Sequence, residues 1–254
     1  MTADALTAWV QIRHQIDWAS VAGAVPAPVE PTVDGLAVDG LAVDGLAVWC
    51  GEGRRSSDPD RGHRLRAALA RSRADASARL PLTCALLTGW QQLVLGTPEV
   101  RFRQGDAFAK GGRERYALTP HTQRDFERCL RESADPRVPL ASRAARAYLD
   151  VAFFHPFPDG NARLAMLTLA YILELDGVRL DHVGPLQTTR YADDEAGAAD
   201  LAVLLFVLIR STQRRTRSSP PVNVRGESRP RRDGSPAPVP SCRRGTPRGP
   251  GSGP

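Results

Sequence analysis

His155-Pro156-Phe157-Pro158-Asp159-Gly160-Asn161-Ala162-Arg163 is the stretch on which the reading of this 254-residue chain turns. It lies between two apolar segments with helical spacing, 141–154 and 164–175. Two prolines restrict the approach, and Asp159-Gly160-Asn161 is turn and N-cap chemistry, so the run reads as a tight connection opening onto a helix N-terminus. Such a terminus presents unpaired N–H groups and a partial positive charge, which together suit a phosphate. Gly160 and Ala162 have little or no side chain, so an anion has room to approach the backbone. Arg163, in the first turn, adds a charged fork. His155 is the candidate base and Asp159 the candidate magnesium ligand. Taken singly, each of these residues is more often a cap, a surface charge or a packed side chain. Their ordered combination in a helix–loop–helix setting is what carries the functional reading.

The run resembles the signature of the Fic (Fido) family, His-Pro-Phe-x-Asp/Glu-Gly-Asn-Gly-Arg-x-x-Arg. The match is unbroken from His155 to Asn161 and resumes at Arg163, with Ala162 in place of glycine and Met166 in place of the second arginine. The resemblance implies a mainly α fold, a Fic-type helical core of about six to eight helices with one β-hairpin flap. It implies a protein adenylyltransferase that moves AMP from Mg²⁺-bound ATP to a Ser, Thr or Tyr hydroxyl of a target protein. By the same analogy His155 deprotonates the hydroxyl, and Asp159 holds Mg²⁺. Gly160, Asn161, Ala162 and Arg163 bind the phosphates, and Phe157 anchors the loop in the core. The Doc branch also lacks the second arginine and transfers the γ-phosphate, so phosphorylation, transfer of another phosphate-containing group, and a catalytically impaired binding protein are the alternatives. Many relatives are silenced by a Ser/Thr-x-x-x-Glu-Gly/Asn helix. Glu52-Gly53 has that ending, but Val48 stands where Ser or Thr is needed, and no self-inhibition of that type is expected.

Between the helical segments, 100–118 breaks the pattern. Val100–Arg103 and Arg115–Leu118 read as short strands around a loop with Gly105, Gly111 and Gly112. In the family a hairpin flap at this place clamps the target by strand addition, which assigns Phe102, Arg103, Gly111, Gly112 and Tyr116 to target docking. Arg101, Arg103, Arg113 and Arg115 either steer an acidic partner or are simply solvated.

Composition sets the frame. The chain is 42% apolar, enough for a real core, and its basic residues are arginine except for Lys110. Ten arginines against two acids fall in residues 211–254, so the pI of about 9.7 belongs to the tail rather than to the body. Cys50, Cys84, Cys129 and Cys242 lack metal-like spacing and read as reduced thiols. Neither a signal peptide nor a membrane-length apolar run is apparent, and a cytoplasmic protein is expected.

Four regions follow. Residues 1–24 form an N-terminal helix that packs on the core. Residues 25–62 are a Pro/Gly-rich linker containing three copies of Val-Asp-Gly-Leu-Ala, from Val33 to Ala47. Three short copies cannot bury a solenoid core and fit no calcium-binding spacing, so a tandem expansion in a tolerant linker is expected. Residues 63–211 are the Fic-like domain, with helices over 64–71, 80–95, 122–132, 139–154, 161–176 and 192–210. Residues 212–254 are a disordered basic tail, more a solvated appendage than a nucleic-acid arm, because no aromatic residues interleave its arginines. Expected partners are a hydroxyl-bearing target protein, a nucleotide, and an antitoxin-like protein.

Overall fold

The computed structural model describes residues 4–21, 43–51 and 58–218. The order is α1 (Ala5–Gln15), α2 (Gly45–Gly51), α3 (Arg61–Ser77), α4 (Cys84–Leu95), β1 (Ala107–Ala109), β2 (Glu114–Tyr116), α5 (Thr122–Ser133), α6 (Leu140–Phe154), α7 (Asn161–Leu175) and α8 (Glu195–Ser218). The fold is mainly α: among the described residues there are eight α-helices and one two-stranded antiparallel hairpin, a Fic-type core with its flap. No helix among them is long and apolar enough to cross a membrane.

α7 is the axis. Residues 164–173 are all buried, and α6, α3 and α4 pack on it. A helix apolar nearly all round can bury its surface only if neighbours surround it, and here they do. α6 is buried along almost its whole length, between α7, α5 and α8. The two central helices are separated only by residues 155–160. α6 stops because His155 is left-handed (φ 49°, ψ 54°), with its N–H returning to the Val151 carbonyl. α7 starts after Gly160, also left-handed (φ 80°). The chemistry-bearing loop is therefore fixed at both ends by backbone geometry and held between the two most buried helices.

α1 is shorter than the helix expected within 1–24 and stops at Gln15. Asp4 caps it, accepting from the Leu6 and Thr7 amides. It docks on α6 and α5 through a buried network. Arg13, 3% exposed, donates to both oxygens of the fully buried Asp150 at 2.7 and 3.1 Å, to Glu132 at 2.5 Å and to the Cys129 carbonyl at 3.0 Å. Trp9 Nε1 donates to the same Asp150.

The linker reading does not extend over 45–51. The third repeat copy ends in α2, which packs on α3. Asp44 accepts from the Ala47 amide and pairs with Arg73 of α3, and Leu46 and Cys50 are buried. A Cβ at Gly45 would lie 2.7 Å from the Asp181 carbonyl, so only glycine fits that approach. The repeat supplied an aspartate, a glycine and a leucine that could cap, approach and pack, and the folded body uses one copy. The first two copies lie outside the described residues.

Boundaries of the body also differ. α3 begins at Arg61 and α8 runs to Ser218, because Thr212 and Arg215 bond Asp181 and hold the last turns against the body. The first seven residues expected in a disordered tail are thus helical; the remainder lies outside the described residues. Asp194 precedes α8 and caps it by accepting from the Gly197 amide, and Glu195 is the acid inside the first turn. Cys50, Cys84 and Cys129 are buried free thiols, and burial pushes Cys50 and Cys84 up to about 12, which leaves them unreactive.

Candidate active site

Residues 155–163 form a braced loop. The Phe157 ring is fully buried beneath it. Asn161, 2% exposed, accepts from the Phe157 amide at 3.0 Å and donates to the Phe157 carbonyl at 2.6 Å. This corrects the phosphate-binding role expected of the Asn161 side chain. Both ends of its amide are engaged on the loop, so it shapes the cradle and does not line it.

Gly160 is fixed by packing as well as by its turn. The space beside its Cα is filled rather than open. An added Cβ would meet Gln91 Nε2 of α4 at 2.4 Å, and φ is +80°. Gln91 is fully buried, its Nε2 donates to the Asp159 carbonyl, and its Oε1 has no hydrogen-bond partner among the described residues. Glycine is required here by a left-handed turn and a neighbouring carboxamide. Gln91 carries no signal readable along the chain, because it lies 68 positions away from its partner.

An anion at this terminus would meet the amides of Asn161, Ala162 and Arg163, the first turn of α7, which has no intrahelical acceptors. The Gly160 amide is taken by its own neighbour, the Asp159 carboxylate, at 2.5 Å. Asp159 also faces Arg163 Nη2 at 3.4 Å, and its side chain is 77% exposed. Ala162 is exposed. Arg163 is mostly covered; burial and the nearby Arg61 draw its ionisation down, while Asp159 opposes them. Met166, one turn on, is in the core at 3% exposed, so no cation stands at that level of α7.

Among the described residues no cluster of three His, Cys, Asp or Glu residues could hold a metal. One exposed carboxylate suits Mg²⁺ carried in on phosphates, since that ion keeps its waters and needs only one or two protein carboxylates; it does not suit a resident metal.

His155 is half-buried. Its Nδ1 lies 3.2 Å from the Ala152 carbonyl, a bond that only a protonated Nδ1 can donate, which leaves Nε2 as the basic nitrogen. Burial lowers its pKa below 6.5; the Ala152 bond opposes this, Arg103 and Lys110 add to it, and Asp159 opposes it weakly. The imidazole is therefore neutral at neutral pH.

The hairpin differs from the expected flap. Strand pairing runs Ala107↔Tyr116, Phe108↔Arg115 and Ala109↔Glu114, so Val100–Arg103 is not a strand. The turn Lys110–Gly112 is left-handed at Lys110, Gly111 and Gly112 (φ 55°, 69° and 84°). Phe102, Arg103 and Tyr116 are corrected. Phe102 packs on Phe126 of α5. Arg103 is 4% exposed and steers nothing: it donates to the Gly105 and Ala117 carbonyls at 2.6 and 3.0 Å, while its own amide meets the Pro156 carbonyl at 2.9 Å. It staples the hairpin base to the loop. Tyr116 is 1% exposed and stacks on His155. The residue that does project is Phe108, 61% exposed on the outer strand. An aromatic set between two alanines before a Lys-Gly-Gly turn was the available signal.

The other edge of the hairpin is met by Asp4, which bridges Arg115 and accepts from the Ala117 amide at 2.9 Å. A groove of about 430 Å³ between α3 and the end of α4, lined by His63, Arg64, Leu93 and Gly96, includes none of the candidate residues.

The helical core, the flap and the loop between α6 and α7 define a Fic-type domain. Residues 81–173 match the model of the Fic/DOC family, and this stretch, running from the approach to α4 through most of α7, is a Fic/DOC-family region. A solved structure of a Fic domain containing signaling protein from Bacteroides thetaiotaomicron is similar at 17% identity and a TM-score of 0.43, over 66% of this chain and 76% of that one. No curated protein matches.

Proposed function

We propose that this protein transfers AMP from Mg²⁺-bound ATP to a Ser, Thr or Tyr hydroxyl of another protein. The observation that carries the reading is the geometry of His155: tied through Nδ1 to Ala152, it leaves Nε2 to accept a proton five residues ahead of an uncapped helix N-terminus, and burial keeps its pKa below 6.5. In the proposed step His155 Nε2 takes the proton of the target hydroxyl, whose oxygen attacks the α-phosphorus as the bond to pyrophosphate breaks. The α7 amides and Arg163 stabilise the charge on the phosphates. Asp159 would hold Mg²⁺, which when bound neutralises phosphate charge. Turning away from the Gly160 amide would free the carboxylate for the ion and the amide for a phosphate oxygen.

The buried Met166 favours a second reading, transfer of the γ-phosphate, because a cation at that level is what would draw the triphosphate into position for α-attack. One experiment separates the two. The protein and a cell lysate are incubated with ATP labelled at the α- or the γ-phosphate. Protein-bound label from α alone supports AMP transfer, and label from γ alone supports phosphorylation. Label from neither, with other nucleotides included, rejects both in favour of a binding role. His155→Ala should reduce transfer by about 10²- to 10⁴-fold with nucleotide binding retained. Unchanged labelling would remove His155 as the base.

A further inference from the structure

The hairpin touches the base directly, and its sole lysine, a glutamate and a tyrosine take no part in the reaction just described. The Tyr116 ring lies parallel to the His155 imidazole, centroids 5.2 Å apart and planes 15° from parallel. Tyr116 is itself immobilised. Its hydroxyl donates to Glu114 Oε2, which also takes Lys110 Nζ, while Glu114 Oε1 accepts from the Ala192 amide at 3.0 Å. Lys110 in turn sits over the rings of Phe153 and Tyr191, at 5.1 and 4.5 Å. Burial would push Glu114 up, but the bonds from Lys110, Tyr116 and Ala192 hold it below the usual carboxylate range, so it stays an anion. Glu114 is thus a knot joining the hairpin turn, the hairpin strand and the segment before α8.

We propose that Tyr116 is the positioning residue for His155: its ring, fixed by Glu114, holds the imidazole in the plane in which Nδ1 reaches Ala152 and Nε2 is presented to substrate. This rests on the reading of His155 as the base. A histidine on a left-handed helix cap has one bond, at 3.2 Å, to define its orientation. A single hydrogen bond leaves the ring free to tilt about it, and a flat, immobile face on one side removes that freedom. The hairpin, on this account, aligns the base as well as offering an edge. The charged and titratable groups acting on His155 come from every element around it: Arg103 and Lys110 from the hairpin region, Tyr116 from β2, Asp159 from the loop. A variant that alters only Tyr116 leaves the charges in place.

The test pairs a magnetic-resonance titration of His155 with kinetics. In the unaltered protein the carbon-bound protons of His155 should be shifted upfield by the Tyr116 ring, and Tyr116→Phe should keep that shift. Tyr116→Leu should lose it, raise the His155 pKa toward 6.5, and lower kcat by about 100-fold while KM for ATP stays within about threefold. Tyr116→Phe keeps the stacking face but loses the bond to Glu114, so it should lower kcat by about 3- to 10-fold, clearly less than Tyr116→Leu. Unshifted His155 protons in the unaltered protein overturn the proposal, and that measurement needs no variant to fold. A folded Tyr116→Leu protein with unchanged kcat and His155 pKa overturns it too. Should the protein prove to transfer no nucleotide while the proton shifts and titration behave as stated, the placement of His155 stands and the transferase reading fails separately.

Discussion

At the scale of single residues, the loop 155–163 shows two different ways in which a motif position is fixed. His155 and Gly160 both adopt left-handed backbone, one as the cap of α6 and the other ahead of α7. For glycine this is free of steric cost; for histidine it is sustained by the packing on either side. Gly160→Ala would combine strain at φ +80° with a 2.4 Å approach to the buried Gln91 carboxamide. It should destabilise the protein by about 1–3 kcal/mol, read as a lower urea midpoint at unchanged m-value. Combining it with Gln91→Ala should recover the part due to contact and leave the part due to φ. Additive losses in the double variant would show that the contact contributes nothing.

Elements impose a second level of constraint. α1 is sequence-distant from α5 and α6 yet joined to them by Arg13, whose guanidinium is buried beside an equally buried Asp150. Removing one partner of such a pair leaves an uncompensated buried charge, so Arg13→Leu should lower the unfolding free energy by about 3–5 kcal/mol, measured by urea denaturation. A change below about 1 kcal/mol would mean that Asp150 is satisfied by Trp9 and by the Ser133 hydroxyl, which donates to it at 2.8 Å. The hairpin presents the opposite case. Phe108 is solvated, so Phe108→Asp should leave the melting temperature within a degree or two, since exposed substitutions fall within about 0.5 kcal/mol. On the docking by strand addition that the family resemblance implies, we propose that the target lies along β1, and the same change should then lower labelling of the target by about 10-fold, the effect of losing one apolar anchor. Full labelling in Phe108→Asp would place target recognition elsewhere.

For the whole described body, the joints between elements are made largely by carboxylates. Asp4 ties α1 to the hairpin, Asp44 ties α2 to α3, Glu132 ties α5 to α1, Glu114 ties the hairpin to the segment before α8, and Asp181 ties that side of the body to α8. In each, burial would raise the pKa, and the bonds from arginine, lysine or backbone amides overcome it and hold the group below its ordinary value. A carboxylate lowered in the folded state adds stability that is complete above its unfolded pKa, about 4, and that is lost as pH falls through the folded value. The unfolding free energy should therefore hold steady from pH 7 to about 5 as far as these groups are concerned, and fall steeply below about 4. His155 adds a smaller loss on acidification below 6.5, because its proton is bound more weakly in the folded chain. Urea titrations across pH 3 to 7 read both, and a flat profile below pH 4 would contradict the arrangement of joints.

The sequence by itself determined the site's address and the architecture around it. Proline, aspartate and glycine between two apolar helical runs specify a turn between buried helices, because those constraints act within a few residues. The helical core and the presence of a hairpin were legible for the same reason. What each motif side chain does was decided only in three dimensions. Asn161 turns inward because Phe157's backbone needs partners, Gly160 is hemmed by Gln91 from another helix, and Tyr116 leaves the expected docking edge to lie against His155. A third repeat copy became α2 because Arg73 and Asp181 were there to receive it. Local periodicity carries no information about which distant residue fills a given space, and close packing of the interior is what makes that choice.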